Sequence, residues 1–152
     1  MAEANRIHVR LDAREENVAV VRAAVASAAA TVAFTVPELE ELRIAVSEAV
    51  SNAVLHAYPG GGGEVEVTIS VGADGIVVVV EDKGRGIADL DAARQPEFTT
   101  LEGHLGLGFA FLEAMADGVE VTSAPGAGTR VLLRKRPHAD PPAGGEADGD
   151  RT

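Results

Sequence analysis

The stretch Val77–Leu90, VVVVEDKGRGIADL, runs four valines into Glu81 and Asp82 and then places glycine at both 84 and 86. The valines read as a strand, because β-branched side chains suit a pleated, buried surface. An ordinary turn needs one glycine at most, so two in three residues ask for a further reason. Upstream, EVEVTISV (Glu64–Val71) alternates apolar and polar residues, and Asp74-Gly75 supplies a tight turn. The two runs therefore predict an antiparallel hairpin. RIHVRLDA near the N-terminus predicts a half-buried strand, and VEVTSA and TRVLLRK predict two more, joined across Pro125-Gly126-Ala127-Gly128.

Three helices complete the pattern. EENVAVVRAAVASAAA starts with carboxylates where the helix dipole favours them. PELEELRIAVSEAVSNAVLHAY opens on Pro37, a residue suited to the first turn, and spaces Leu39, Leu42, Val46, Val50, Ala53 and Val54 by three or four. PGGGG ends it, and GFAFLEAMA predicts a short third helix. Between Arg94 and Leu105 the chain is polar and aperiodic, which predicts a mobile loop. From Pro137 to Thr152 it holds no aliphatic side chain larger than alanine, which predicts a disordered acidic tail after a domain spanning residues 1–136.

Composition narrows the function. The chain has 152 residues, enough for one domain with a real core. It is 46% hydrophobic but 3% aromatic, so Val, Ala, Leu and Ile must build that core, as in a sheet layered with helices. A net charge of −11 disfavours nucleic acid and anionic membrane and leaves a basic protein surface as a partner. The absence of cysteine removes disulfides, thiolate catalysis and Cys-ligated zinc, and nothing suggests a membrane span or export, so a cytoplasmic protein is expected.

Three polar constellations could carry chemistry. Glu48 and Asn52 lie four apart, on one face of the longest helix. A carboxylate there can take a proton and the amide oxygen can ligate a hard cation such as Mg²⁺, although the same spacing also occurs as an exposed polar pair. Asp82 closes an aliphatic strand, so its oxygens need donors; the amine of a base such as adenine is one, and Gly84 and Gly86 would let a ligand lie against bare backbone. A plain glycine-rich turn is the alternative. Gly106-Leu107-Gly108 immediately precedes the third helix, where unpaired N–H groups favour phosphate, or else forms a hinge. His56 reads as a helix-surface or core histidine, Arg22 as a solvated or partner-facing position, and the four histidines are too scattered for a transition-metal site.

Taken in order, SEAVSNAVLHAY, EDKGRGI, ARQPEFTT, GLGF and GAGT resemble the GHKL ATPase superfamily, and most closely the bacterial anti-sigma factor serine kinases of the sporulation and general-stress type. The likeness spans about Arg6 to Lys135. It implies an α+β two-layer sandwich, the Bergerat ATP-binding fold, with a mixed, mostly antiparallel sheet and helices on one face. It implies ATP and Mg²⁺ as cofactors, Glu48 as general base, Asn52 as Mg²⁺ ligand and Asp82 as the adenine-reading carboxylate supported by Thr129. Gly84, Gly86, Gly106, Leu107 and Gly108 would match the glycine boxes, and Arg94–Leu105 a lid in which Thr99 and Thr100 either touch phosphate or are plain polar loop residues.

The resemblance implies a sigma factor and a STAS-domain anti-anti-sigma protein as partners, and a homodimer. One departure stands out. Related kinases carry an arginine shortly before the second glycine box; here His104 and Leu105 occupy that place, and no Arg or Lys lies between Arg94 and Arg130. Two readings follow: a serine kinase that also sequesters a sigma factor, or an ATP-binding regulatory module with little or no phosphotransfer. A histidine-kinase fragment ranks below both, because too little chain precedes the long helix for a phospho-accepting hairpin.

Overall fold

The computed structural model describes residues 4–87 and 105–138, with residues 105–109 described as helical backbone only. The chain runs β1 (Asn5–Asp12), α1 (Glu16–Ala29), α2 (Val36–His56), β2 (Glu64–Gly72), β3 (Gly75–Asp82), α3 (Leu105–Met115), β4 (Gly118–Ser123) and β5 (Thr129–Lys135). The α+β sandwich is as expected. Its sheet has the order β1-β2-β3-β5-β4, and every pairing is antiparallel, so the expected mixed character is not found among the described residues. The reason is topological. The chain leaves β3, returns along the outer edge as β4, and turns back to insert β5 between them, so no parallel neighbour is created.

The long helix begins where its sequence asks it to. Thr35 accepts from the Glu38 N–H at 3.2 Å while the Glu38 carboxylate accepts from the Thr35 N–H at 2.8 Å, and Pro37 sits in the first turn. This reciprocal cap satisfies two donors that a helix start leaves orphaned. Leu42, Ala45, Val46, Ala49, Val50 and Ala53 form its buried stripe, against Val21 and Val25 of α1 and the inward valines of the sheet. Val65, Val67, Ile69 and Val71 alternate inward along β2, and Ile76, Val78 and Val80 do so along β3. Each such side chain contributes roughly 1.5–3 kcal/mol by leaving water. Small residues on α1 and α2 let helix and sheet layers approach without aromatic filling.

Among the described strand residues, one charged side chain is buried. Lys135, at the end of β5, is 4% exposed; its ammonium donates to the Glu41 carboxylate at 2.9 Å and to the Met115 carbonyl at 2.8 Å. It therefore joins α2, the last turn of α3 and the sheet. The described chain continues to His138, two residues into the segment read as a tail. There the His138 N–H donates to Glu38 at 2.7 Å, and its ring lies 2.8 Å from Asp117.

Candidate functional site

Glu48 and Asn52 both stand on α2, one turn apart, and differ in burial. Asn52 is buried, 8% exposed, and its Nδ2 has no hydrogen-bond partner among the described residues. An unmatched buried donor costs on the order of 1–3 kcal/mol, so it fits a ligand presenting acceptor oxygens, such as phosphate. The other end of the amide remains for a hard cation. Glu48 is half-buried and lines a hollow of 330 Å³ with Arg22, Glu40, Arg43, Ile44, Ser47 and Ser51. Arg22 is not simply solvated there: its Nε donates to the Ser47 hydroxyl at 2.7 Å. His56 is buried one turn beyond Asn52.

On the sheet, Asp82 closes β3 opposite Val65 and Thr129. Its register places it on the inward face with Val80. Burial pushes its carboxyl above the ordinary aspartate range, and hydrogen bonding from the Gly84 and Thr129 backbone pulls the other way. The Gly84 N–H donates to Oδ1 at 2.9 Å. Support from Thr129 thus comes through its main chain. Its hydroxyl lies 2.8 Å from the Ser123 Oγ, which also accepts the Ile87 N–H at 2.8 Å and donates to the Gly128 carbonyl at 2.9 Å. Since Ser123 has one proton to give, Thr129 is the donor of that pair.

The glycines have a reason the sequence did not disclose. A Cβ on Gly84 would lie 2.2 Å from the Ala57 carbonyl oxygen, and one on Gly86 (φ +74°) would lie 1.9 Å from that of Ala124. Gly128 (φ +83°) stands likewise against Asp82, 2.1 Å from its carbonyl oxygen. Three backbone segments therefore close on one another here: the end of α2, the exit of β3 and the β4–β5 turn. The directions freed of side chains point at protein backbone, and this contact holds Asp82 in place.

Gly106, Leu107 and Gly108 lie inside the first turn of α3 rather than before it, because the helix starts at Leu105. The unpaired N–H groups of a helix start consequently belong to these residues. Residues 94–104 of the expected lid, Thr99, Thr100 and His104 among them, lie outside the described residues, as does the tail from residue 139, while Leu105 opens α3. A second hollow, of 250 Å³, is lined by Tyr58, Gly63, Glu64, Glu66, Glu81, Asp82 and Lys83. Its carboxylates would repel a polyphosphate, so only the uncharged end of a nucleotide suits this side of Asp82. Glu48 and Asp82 line separate hollows. Among the described residues no group of three or more His, Asp or Glu side chains is arranged to hold a metal, and no helix is long and apolar enough to cross a membrane.

Sequence reasoning missed Tyr58, Ser123 and the Arg22–Ser47 contact. The single tyrosine of a chain poor in aromatics was the one available signal.

The architecture is that of the histidine kinase-like ATPase domain. It superposes with a TM-score of 0.63 on the structure of the RsbU and RsbW domains of a Mycobacterium tuberculosis protein, at 24% identity, covering 87% of this chain and 32% of that one. The mycobacterial sensor histidine kinase MprB gives a TM-score of 0.53 at 20% identity, over 86% of this chain and 99% of that one. Residues 11–135 match the histidine kinase-like ATPase domain. An anti-sigma F factor of Geobacillus thermodenitrificans is 44% identical over 138 residues, 86% of this chain and 92% of that relative. The anti-sigma F factor of Bacillus subtilis is 38% identical over 135 residues, with the same two coverages. The chain belongs to the histidine kinase-like ATPase family and, within it, to the family of these anti-sigma F factors.

Proposed function

We propose that this protein is a Mg-ATP-binding anti-sigma factor and protein serine kinase, which sequesters a sigma factor and phosphorylates a STAS-domain anti-anti-sigma partner. The observation that carries the reading is the 44% identity to an anti-sigma F factor along 92% of that relative, with Glu48, Asn52 and Asp82 standing in the expected order. In this reading Asp82 accepts from the adenine amine, while Asn52 and the N–H groups opening α3 face the phosphates. Bound Mg-ATP would supply the phosphoryl group, with the cation neutralising its charge. Glu48 would take the proton of the partner's serine hydroxyl. The hollow beside Glu48, furnished with Arg22, Arg43 and Ser51, offers room and donors for the segment bearing that serine. A homodimer in the cytoplasm, meeting a basic partner surface through its net charge of −11, belongs to the same reading.

A second reading keeps the nucleotide but not the transfer: ATP would order the lid and a sigma-binding surface. The absence of Arg and Lys between Arg94 and Arg130 favours it, because neutral or partly charged His104 is a weaker clamp than a guanidinium. The two separate in one assay. Incubated with Mg-ATP and candidate STAS partners, the wild type should phosphorylate one of them on serine, and Glu48→Gln should lower the rate by about 10²-fold or more. Binding of ATP with no phosphorylated partner would favour the regulatory module.

A further inference from the structure

We propose that Tyr58 is the positioning residue for Asp82: its hydroxyl ends the β2–β3 ladder just after Asp82 and so sets the aim of that carboxylate. The inference rests on the reading of Asp82 as the group that recognises adenine. The Tyr58 hydroxyl donates to the Glu64 carbonyl at 2.7 Å and accepts the Lys83 N–H at 2.8 Å. In the register that pairs Val65 with Asp82, Glu64 and Lys83 are the next pair. The hydroxyl therefore stands between the carbonyl and N–H that would otherwise bond directly, and the strands part there.

The residues released from the ladder are taken up by the end of α2. The Arg85 N–H donates to the Ala57 carbonyl at 2.8 Å, and Gly84 lies so close to the same carbonyl that a Cβ would stand 2.2 Å from its oxygen. This turn brings the Gly84 N–H to Asp82 Oδ1 at 2.9 Å. The tyrosine ring is itself held: Gly63 (φ +86°) packs against it, where a Cβ would come within 2.5 Å. Ring and hydroxyl thus have separate tasks. The ring fills the corner between α2 and β2, and the hydroxyl decides where β3 stops. A phenylalanine would keep the first and lose the second, letting Lys83 pair with Glu64 and drawing the Gly84 N–H away from the carboxylate.

The test compares ATP with inosine triphosphate, which lacks the adenine amine, in the wild type, Tyr58→Phe and Asp82→Asn. The wild type should prefer ATP by about tenfold or more, and Asp82→Asn should erase the preference. Tyr58→Phe should reduce it by roughly three- to tenfold, with affinity for the inosine nucleotide changed less than about twofold. A merely structural role would weaken both nucleotides alike, and that result, or an unchanged ratio, overturns the proposal while leaving Asp82 in place. An Asp82→Asn protein that still prefers ATP overturns the reading of Asp82, and the proposal with it. If Tyr58→Phe does not fold, the wild type supplies the readout. Tyr58 is the one tyrosine in a chain without tryptophan, so its emission should change on binding ATP and less on binding inosine triphosphate. An emission that responds equally to both overturns the proposal.

Discussion

At the scale of single residues, Asp82 works against the stability of the fold that holds it. Its carboxyl is raised above the ordinary range, chiefly by burial. Its stabilising contribution is therefore fully present below the unfolded-state pKa and lost as pH rises through the folded one. At neutral pH the ionised group is a cost that a donor from a ligand could relieve. Asp82→Asn removes the charge and can keep the bond from the Gly84 N–H. Thermal melts without nucleotide should show it more stable than the wild type near pH 7, the gain shrinking towards about pH 4, while its affinity for ATP falls. The need of Asp82 for donors was legible, because an aspartate ended a strand of valines. The need for Gly84 was not: its obstacle, the Ala57 carbonyl, lies on another element and comes near only through folding.

At the scale of elements, the helices and the β2–β3 hairpin could be read from caps, periodicity and turn residues. Thr35, Pro37 and Glu38 mark the start of α2 locally, and Asp74-Gly75 marks the hairpin. What could not be read is which strand lies beside which, since β3 pairs with β5 and not with β4, the next strand along the chain. Lys135 shows the same limit. Its alternation places it inward, but the Glu41 carboxylate and Met115 carbonyl that make this tolerable come from two helices. Lys135→Met keeps the length and loses the donors. Because Glu41 is 45% exposed and can rehydrate, the expected loss is about 1–2 kcal/mol in chemical denaturation, less than for a fully buried pair. Hydrogen exchange should quicken first in the last turn of α3, where the Met115 carbonyl loses its cation.

For the molecule as a whole, the residues after β5 fasten the start of α2 to the segment that follows α3. Burial acts against charge on Asp117, yet the Arg136 N–H and the His138 ring outweigh it and hold the carboxyl below the ordinary range. The Thr35 N–H, with a smaller part from His138, does the same for Glu38. Both groups contribute stability above their unfolded pKa values, and it is lost as pH falls through the folded ones. His138→Ala should cost less than about 1 kcal/mol near neutrality, because the contact is largely exposed, and should flatten the loss of stability in acid. Denaturation curves from about pH 3 to 8 would check both. This fastening escaped sequence reading, since a histidine in a run of Pro, Ala and Asp offers no periodicity to interpret.

The interior position of β5, between β3 and β4, bears on how the protein is made. While the ribosome is still adding Thr129–Lys135, β3 has a neighbour on one side only, and its valines border a bare row of amides and carbonyls. A nascent chain halted before that point would offer a sticky template to any other extended segment. Until β5 has been made and docked, this edge stays open to misassociation and to rescue by chaperones.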